Sequence, residues 1–184
     1  MLNGATKRRA VLGALAAILH ASIGWSSASH AQAPAYPDRT IKLAVGFAPG
    51  GSNDIIARLL AEKLQSALGQ PVIVENRAGA GGNVGMDAVA KATPDGYTIG
   101  FGAISTNALN PHVYKSMAFD PRKDFNGISM LGYSTIVLEV PADTPIKSVA
   151  DLVAFAKKNP GLTYGTAGAG TSMHLSGVLF AQTT

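Results

Sequence analysis

The 184-residue sequence contains no cysteine, and this absence excludes several kinds of chemistry at once. A chain without thiols has no disulfides, no zinc–thiolate site and no cysteine nucleophile. The sequence does contain 21 glycines and 47% apolar residues, which is enough for a hydrophobic core connected by tight turns. We therefore expect the fold to depend on its core alone.

Positive charge is scarcer than the sequence pI of about 9.4 suggests. The chain has 15 Lys and Arg against 11 Asp and Glu, but three of the cations are Lys7, Arg8 and Arg9 at the N-terminus. Removing these three leaves 12 against 11. A nearly neutral chain gives no support to a nucleic-acid or membrane-surface partner.

Histidine is also rare, because only His112 and His174 of the four histidines lie beyond the N-terminal segment. The carboxylates are scattered over separate predicted elements. A multi-histidine metal site is therefore excluded by the sequence. We predict neither a metal nor a cofactor.

Residues 1–31 have the organisation of a secretory signal peptide. The basic residues Lys7 to Arg9 precede an apolar stretch from Ala10 to Gly24, and small residues follow at Ser29-His30-Ala31. This order is typical of an exported chain cleaved after Ala31. The alternative is a membrane anchor, but the apolar stretch is shorter than the about 20 residues that a span needs. The paired arginines are a weaker indication of twin-arginine export.

Beyond the signal, strand and helix patterns alternate, which predicts an α/β fold with a largely parallel sheet. Strands are predicted over Ile41–Phe47, Pro71–Glu75, Tyr97–Phe101, Ile128–Val140 and Leu162–Thr166. Helices are predicted over Asp54–Leu68, Asn83–Lys91, a short segment at Asn110-Pro111, the segment from the Ser148 cap to Lys158, and a last segment from the third glycine turn. No cap or strand follows this last helix before Thr184, so we expect an incomplete final unit.

Three glycine-containing turns each follow an apolar strand and precede a helix. They are Phe47–Asp54, Gly102–Asn107 and Gly168–Ser172. Glycine lets the backbone approach a ligand closely, and the first N–H groups of a helix carry a partial positive charge. We therefore predict an anion-binding cleft at the carboxyl ends of the strands. If backbone makes this site, Gly51→Val should weaken binding more than Ser52→Ala.

Other motifs fit different chemistry less well. The loop Gly79–Gly85 lacks the glycine that a dinucleotide fingerprint requires at Val84, so we predict that it lets two backbones approach closely. Ser172 and His174 could be a nucleophile and a base, but no G-x-S-x-G elbow surrounds them. Asp54 favours the N-terminal end of its helix. Thr171 and Ser172, by their chemistry alone, fit a helix N-cap and a ligand contact equally well, and the three glycine turns favour the ligand contact.

Seven motifs, taken together, resemble the Bug family of periplasmic solute receptors, the binding components of tripartite tricarboxylate transporters. The chain is similar to a truncated member of that family. The motifs occur in the family's order over Tyr36–Leu43, Phe47–Asp54, Gly69–Arg77, Gly79–Asn83, Pro94–Tyr97, Asn110-Pro111 and Gly170–His174.

The resemblance implies an α/β fold of the type II periplasmic-binding-protein kind, with two lobes of mainly parallel sheets and a cleft between them. The implied divisions are a signal peptide at 1–31, a first α/β lobe at 32–131, a crossing strand or hinge at 132–140, and the start of a truncated second lobe at 141–184.

The resemblance also implies a function. The chain would be a non-enzymatic, monomeric receptor in the periplasm that captures a small organic carboxylate and delivers it to membrane permease subunits. The alternatives are a fragment of such a receptor without a function of its own and a secreted Ser-dependent hydrolase. The implied ligand-binding residues are Gly50, Gly51, Ser52, Asn53, Ser105, Thr106, Gly170, Thr171, Ser172 and His174.

Three positions depart from the family pattern. Asn53 lies where threonine is common, Gly46 lies where proline often precedes the turn, and Met173 replaces a frequent glutamine. We expect these departures to change selectivity without removing the anion site.

Overall fold

The structure is a computed structural model that describes residues 35–184, so the signal-peptide prediction for residues 1–31 lies outside the described residues. Its centre is a three-stranded parallel sheet with the strand order β2–β1–β3. The strands are β1 (Ile41–Val45), β2 (Val72–Asn76) and β3 (Thr98–Phe101). This sheet confirms the predicted parallel α/β arrangement for the first part of the chain.

Two helices make the connections between these strands. Helix α1 (Ser52–Leu68) joins β1 to β2, and helix α2 (Asn83–Ala90), preceded by a 3₁₀ turn at Ala80–Gly82, joins β2 to β3. Helix α1 begins two residues before the predicted start, and it ends at Gly69, which adopts a left-handed φ of 69°. Both helices confirm the sequence prediction, since an apolar face at helical spacing can pack on a sheet.

The core forms between the sheet and α1. Its buried residues are Ile41, Leu43, Val45, Ala57, Ala61, Val72 and Phe101. The central strand β1 supplies three of them and has a neighbour on both edges, which explains its nearly continuous apolar sequence. Small Ala57 and Ala61 let α1 pack closely on β1 and β2.

After β3 the chain coils into a π-helical segment, Ser105–Leu109, that continues into the short helix α3 (Asn110–Val113). The N–H of Asn110 donates to the carbonyl oxygen of Ser105, five residues earlier. Pro111 lies in the first turn of α3, a position that proline often occupies. The predicted brief helix at Asn110-Pro111 is confirmed.

Two strand predictions are wrong. No strand forms over Ile128–Val140 or Leu162–Thr166 in the described part of the chain. Tyr133 is 92% exposed and Ile128 is 83% exposed, so the first segment has no sheet to cover it. An apolar, β-branched sequence becomes a strand only where a neighbour satisfies its backbone groups. The domain divisions at 131 and 140 remain predictions.

The two later helices have polar N-caps. In α4 (Val149–Lys158) the N–H of Asp151 donates to Ser148 Oγ at 3.1 Å, and the Asp151 carboxylate accepts the N–H of Lys147 at 3.1 Å. This arrangement confirms the predicted capped start. Helix α5 (Ser172–Thr183) follows the third glycine turn as predicted. Among residues 35–184, no helix has both the length and the apolar character required to cross a membrane.

Candidate functional site

The first two glycine turns leave the sheet at the same edge. Val45 at the end of β1 pairs with Phe101 at the end of β3, and the two strands are parallel. The turns that follow them therefore start side by side at the carboxyl end of the sheet. This is the edge at which open α/β sheets bind small molecules.

The loop Gly79–Gly85 packs against both turns. A Cβ on Gly82 would lie 2.7 Å from Thr106 Cγ2 of the second turn and 3.0 Å from Phe47 Cζ of the first. A Cβ on Gly46 would collide with the carbonyl oxygen of Gly82. The predicted close approach of backbones is confirmed. It also explains why position 46 is glycine, because a side chain there would collide with Gly82.

The third glycine turn lies against the same loop. A Cβ on Gly81 would lie 3.3 Å from the carbonyl oxygen of Ala169 and 3.3 Å from the carbonyl carbon of Gly170. The hydroxyl of Tyr114 donates to that oxygen of Ala169 at 3.4 Å. All three predicted turns thus contact the loop Gly79–Gly85.

The first turn is held by a buried carboxylate. Asp54 is 3% exposed, and its Oδ2 accepts the N–H of Gly50 at 2.9 Å and Arg58 Nε at 3.0 Å. Its Oδ1 accepts Asn76 Nδ2 at 2.9 Å. The hydrogen bonds from Arg58, Gly50 and Asn76 lower the pKa of Asp54 to about 2. Asp54 is therefore ionised at neutral pH and lies at the N-terminal end of α1, as predicted.

The predicted ligand residues of this turn are near the surface. Gly50, Gly51 and Ser52 are exposed and Asn53 is half-buried. The first backbone bond of α1 runs from the N–H of Ile55 to the carbonyl oxygen of Gly51, at 3.0 Å. The N–H groups of Ser52 and Asn53 precede it and have no partner within the helix. The N–H of Gly50, in contrast, is already bound to Asp54.

The predicted ligand residues of the second turn are buried, unlike those of the first. Ser105 is 3% exposed and Thr106 is 0% exposed. The Thr106 hydroxyl accepts the N–H of Ala103 at 3.1 Å and contacts the carbonyl oxygen of Ala103 at 3.0 Å. Thr106 therefore stabilises its own turn, and its contact with a ligand remains a prediction.

In the third turn, Thr171 caps α5. Its hydroxyl donates to the carbonyl oxygen of Gly168 at 2.7 Å and accepts the N–H of His174 at 3.3 Å. Of the two interpretations of Thr171, the cap is confirmed.

Ser172 is half-buried, and Nδ1 of His174 is buried without a hydrogen-bond partner in the described part of the chain. Ser172 therefore donates no hydrogen bond to that nitrogen.

Asn110 contacts the glycine loop beside the turns, although the sequence analysis did not include it among the ligand residues. It is 0% exposed, and its Nδ2 donates to the carbonyl oxygen of Gly81 at 3.2 Å and to Asn83 Oδ1 at 2.7 Å. Its Oδ1 is buried without a partner among the described residues. The pair Asn110-Pro111 indicated a helix start, and no local signal showed that the amide would face a loop far away in sequence.

The rest of the described surface has fewer features of a binding site. Within residues 35–184, no group of three or more His, Asp or Glu side chains could hold a metal ion. A shallow depression lies at the opposite end of β1 from the turns, where the N–H of Ile41 donates to the carbonyl oxygen of Pro71. Its lining consists of Glu62, Gln65, Ser66, Gly69, Gln70 and Pro71.

Solved structures with this arrangement are periplasmic binding proteins. A periplasmic transporter structure matches with a TM-score of 0.71 and 38% identity, over 81% of this chain and 50% of that chain. An R. palustris protein solved with adipate matches with a TM-score of 0.75 and 38% identity, over 79% and 49%. The periplasmic binding protein BugD matches with a TM-score of 0.65 and 31% identity, over 80% and 50%. The chain therefore has an incomplete periplasmic-binding-protein fold.

The sequence comparisons identify the family. The family model described as the tripartite tricarboxylate transporter family receptor matches residues 56–184, and the chain belongs to this family. A UPF0065 protein of Cupriavidus necator is 45% identical over 149 residues, which are 80% of this chain and 45% of that protein. BugT of Bordetella pertussis is 39% identical over 155 residues, 83% of this chain and 48% of BugT. The chain spans about half the length of these relatives, and the resemblance to the Bug family is confirmed.

Proposed function

We propose that this chain forms the ligand-binding part of an exported receptor that captures a small organic carboxylate for a tripartite tricarboxylate-type transporter. One observation carries the proposal: three glycine turns, distant in sequence, contact one glycine loop at the carboxyl edge of the sheet. The family supports a receptor, and the adipate bound to the R. palustris neighbour supports a carboxylate.

The chemistry of the turns suits an anion. The N–H groups of Ser52 and Asn53 point out of the N-terminal end of α1, where the helix dipole favours negative charge. The ion pair of Asp54 with Arg58 carries no net charge, so it does not repel an incoming carboxylate strongly. Backbone N–H groups and hydroxyls would then hold the ligand without a basic side chain.

The other predicted ligand residues complete this proposal. Gly170 and Thr171 shape the third turn, and the half-buried Ser172 and His174 could face the ligand across the loop Gly79–Gly85. Asn110 joins them, because its unpartnered Oδ1 can accept a hydrogen bond from a ligand hydroxyl or a water.

The proposed cellular role follows from the family. We expect a monomeric receptor in the periplasm that presents its ligand to membrane permease subunits and performs no chemistry on it. The rival hydrolase would need Ser172 as the nucleophile, so turnover of a chromogenic ester that disappears in Ser172→Ala would contradict this role.

The test compares two proteins, because the chain spans about half the length of its relatives. The first is residues 32–184, and the second is the same chain followed by the remaining half of the Cupriavidus necator relative. Thermal unfolding is followed with adipate, succinate, citrate and glutamate. We expect the extended protein to unfold at a higher temperature with at least one carboxylate, and the shorter one to respond weakly or not at all. Cooperative unfolding of the extended protein without any response would contradict a carboxylate receptor.

A further inference from the structure

Two backbone groups of the first turn are bound by side chains that the predicted ligand set does not include. Gly50 donates its N–H to Asp54 at 2.9 Å, and Asn76 Nδ2 donates to the carbonyl oxygen of Phe47 at 3.1 Å. Asn76 Nδ2 also donates to Asp54 Oδ1, and Arg58 Nη2 donates to Asn76 Oδ1 at 3.1 Å. The start and the end of the turn are therefore tied to one network.

We propose that Asp54, Arg58 and Asn76 are positioning residues that hold the turn Phe47–Gly51 in the conformation needed for ligand capture, without touching the ligand themselves. This inference rests on the proposed function, since it assigns the network a role at that site. The three residues come from α1 and from the end of β2, so the network also couples the turn to the sheet.

The hydrogen-bonding pattern explains why each residue type is needed. The two carboxylate oxygens of Asp54 accept from three donors, which are the Gly50 N–H, Arg58 Nε and Asn76 Nδ2. An asparagine at position 54 has only one acceptor oxygen, and its NH₂ group would face a donor in either orientation. Asp54→Asn therefore keeps the shape of the side chain and breaks the network.

Arg58 has a role that lysine cannot fill. Its Nε donates to Asp54 while its Nη2 donates to Asn76, so one planar guanidinium bridges both partners. Lysine keeps the positive charge, but a single ammonium group at the end of a flexible chain does not reproduce this fixed pair of bonds. Arg58→Lys therefore keeps the positive charge and removes the pair of hydrogen bonds, so its effect reports the geometry alone.

The turn itself needs external support. Gly50 has a φ of +84°, and both Gly50 and Gly51 are exposed, so little packing restrains them. Glycine loses more conformational freedom on ordering than any other residue. Hydrogen bonds to a charged group are among the strongest local restraints, and Asp54 supplies one to the N–H of Gly50.

The experiment measures amide hydrogen exchange in the ligand-free 184-residue chain. In Asp54→Asn we expect exchange of the Gly50 amide and the following turn amides to become about tenfold faster or more, because a charge-assisted bond is lost. Arg58→Lys should raise the exchange rate of the turn less than Asp54→Asn does. Arg58→Gln should raise it more than Arg58→Lys does. Exchange within β1 serves as the internal reference for global stability.

The chain offers a matched control. Asp87 and Lys91 form another i,i+4 ion pair, at 2.8 Å at the C-terminal end of α2, and neither side chain hydrogen-bonds to the first turn among the described residues. Lys91→Gln should leave exchange of the turn unchanged. If the turn amides exchange no faster in Asp54→Asn and Arg58→Lys than in Lys91→Gln, the positioning role is overturned.

A second readout separates this inference from the proposed function. Titration with adipate compares the extended protein described above with its Arg58→Lys variant. We expect weaker binding together with faster exchange of the turn. Faster exchange with unchanged adipate affinity would show that the network orders the turn but that the turn is not the ligand site, which overturns the inference as stated. If the unsubstituted extended protein bound none of adipate, succinate, citrate and glutamate, that result would instead count against the proposed function, while the exchange data would still test the ordering of the turn.

Discussion

A Cβ on Gly85 in the first turn of α2 would lie 2.6 Å from the Cα of Gly46, so the helix packs directly on the backbone that leaves β1. The contact joins backbone to backbone, and neither side can move as a flexible side chain could. It places the start of α2 beside the first glycine turn. The relationship gives the glycine loop a structural role that does not depend on a dinucleotide fingerprint.

We predict that Gly85→Ala destabilises the chain. Alanine is normally favoured over glycine inside a helix by about 1 kcal/mol. Here the added methyl group meets backbone, and overpacking of this kind typically costs about 1–3 kcal/mol. Urea unfolding of the 184-residue chain should show the loss. Gly127→Ala is the control, because a Cβ there has no atom within 4 Å. A Gly85→Ala variant as stable as the unsubstituted chain would contradict the contact.

Adjacent Gly50 and Gly51 should respond in opposite directions to the same substitution. Gly50 has a φ of +84°, which costs a non-glycine residue about 1–2 kcal/mol. Gly51 is the N-cap of α1 with φ −78° and ψ 167°, a conformation that serine adopts readily. Since serine is a preferred N-cap, Gly51→Ser should be neutral or stabilising.

Unfolding midpoints of the two serine variants test this expectation. Equal losses at both positions would show that the turn does not need a left-handed residue at Gly50. The structure also changes the expectation made for Gly51→Val. The positive φ of this turn belongs to Gly50, so valine at position 51 meets no left-handed backbone, whereas the blocking of ligand approach by valine remains a prediction.

Asp54 should make stability depend on pH in acid. Its pKa is lowered to about 2 in the folded chain, below the about 3.9 of an unfolded aspartate. The folded state therefore binds the proton less readily, and this contribution to stability is present above the unfolded pKa. It is lost progressively as the pH falls from about 5 towards 2.

Urea midpoints measured across that pH window provide the test. Asp54→Asn should be less stable near neutral pH and should lose less stability on acidification than the unsubstituted chain. Ser52→Ala, which removes no titrating group from the same turn, should keep the original pH dependence. An identical pH dependence in Asp54→Asn would show that Asp54 contributes nothing to it.

The sequence predicted the elements whose pattern is local. The apolar face of α1, the Ser148 cap of α4 and the strand β1 were all recognised, because helical spacing, a capping residue and a continuous apolar run each act over a few residues. The predicted boundaries of α1 and β1 each differ from the observed ones by two residues at one end, and those of α4 agree with the structure.

Non-local relationships were not predictable. Asp54 and Asn76 are 22 residues apart, and no spacing rule indicated that β2 would end with its amide against the carboxylate. The same holds for Asn110, which reaches Gly81 across 29 residues. The glycine turns themselves were visible in the sequence, but the loop that brings them together became apparent only from the packing of Gly82 and Gly85.

The last prediction concerns the segment 128–140, which the sequence indicated as a strand and which the structure leaves exposed. Leu138 is 60% exposed, whereas Leu43 in β1 is 1% exposed. Leu43→Ser should therefore destabilise the chain by several kcal/mol, since it removes core packing and buries a hydroxyl. Leu138→Ser should change stability by no more than about 0.5 kcal/mol and should reduce binding of a hydrophobic dye.

The comparison of these two serine variants decides how residues 128–140 are held. Both substitutions remove the same leucine side chain, so their difference reports the surroundings and not the residue type. Because an exposed segment loses little on becoming polar, Leu138→Ser should keep the unfolding midpoint while Leu43→Ser lowers it strongly. A loss in Leu138→Ser as large as that in Leu43→Ser would mean that Leu138 packs in a core, which would contradict the exposure of this segment.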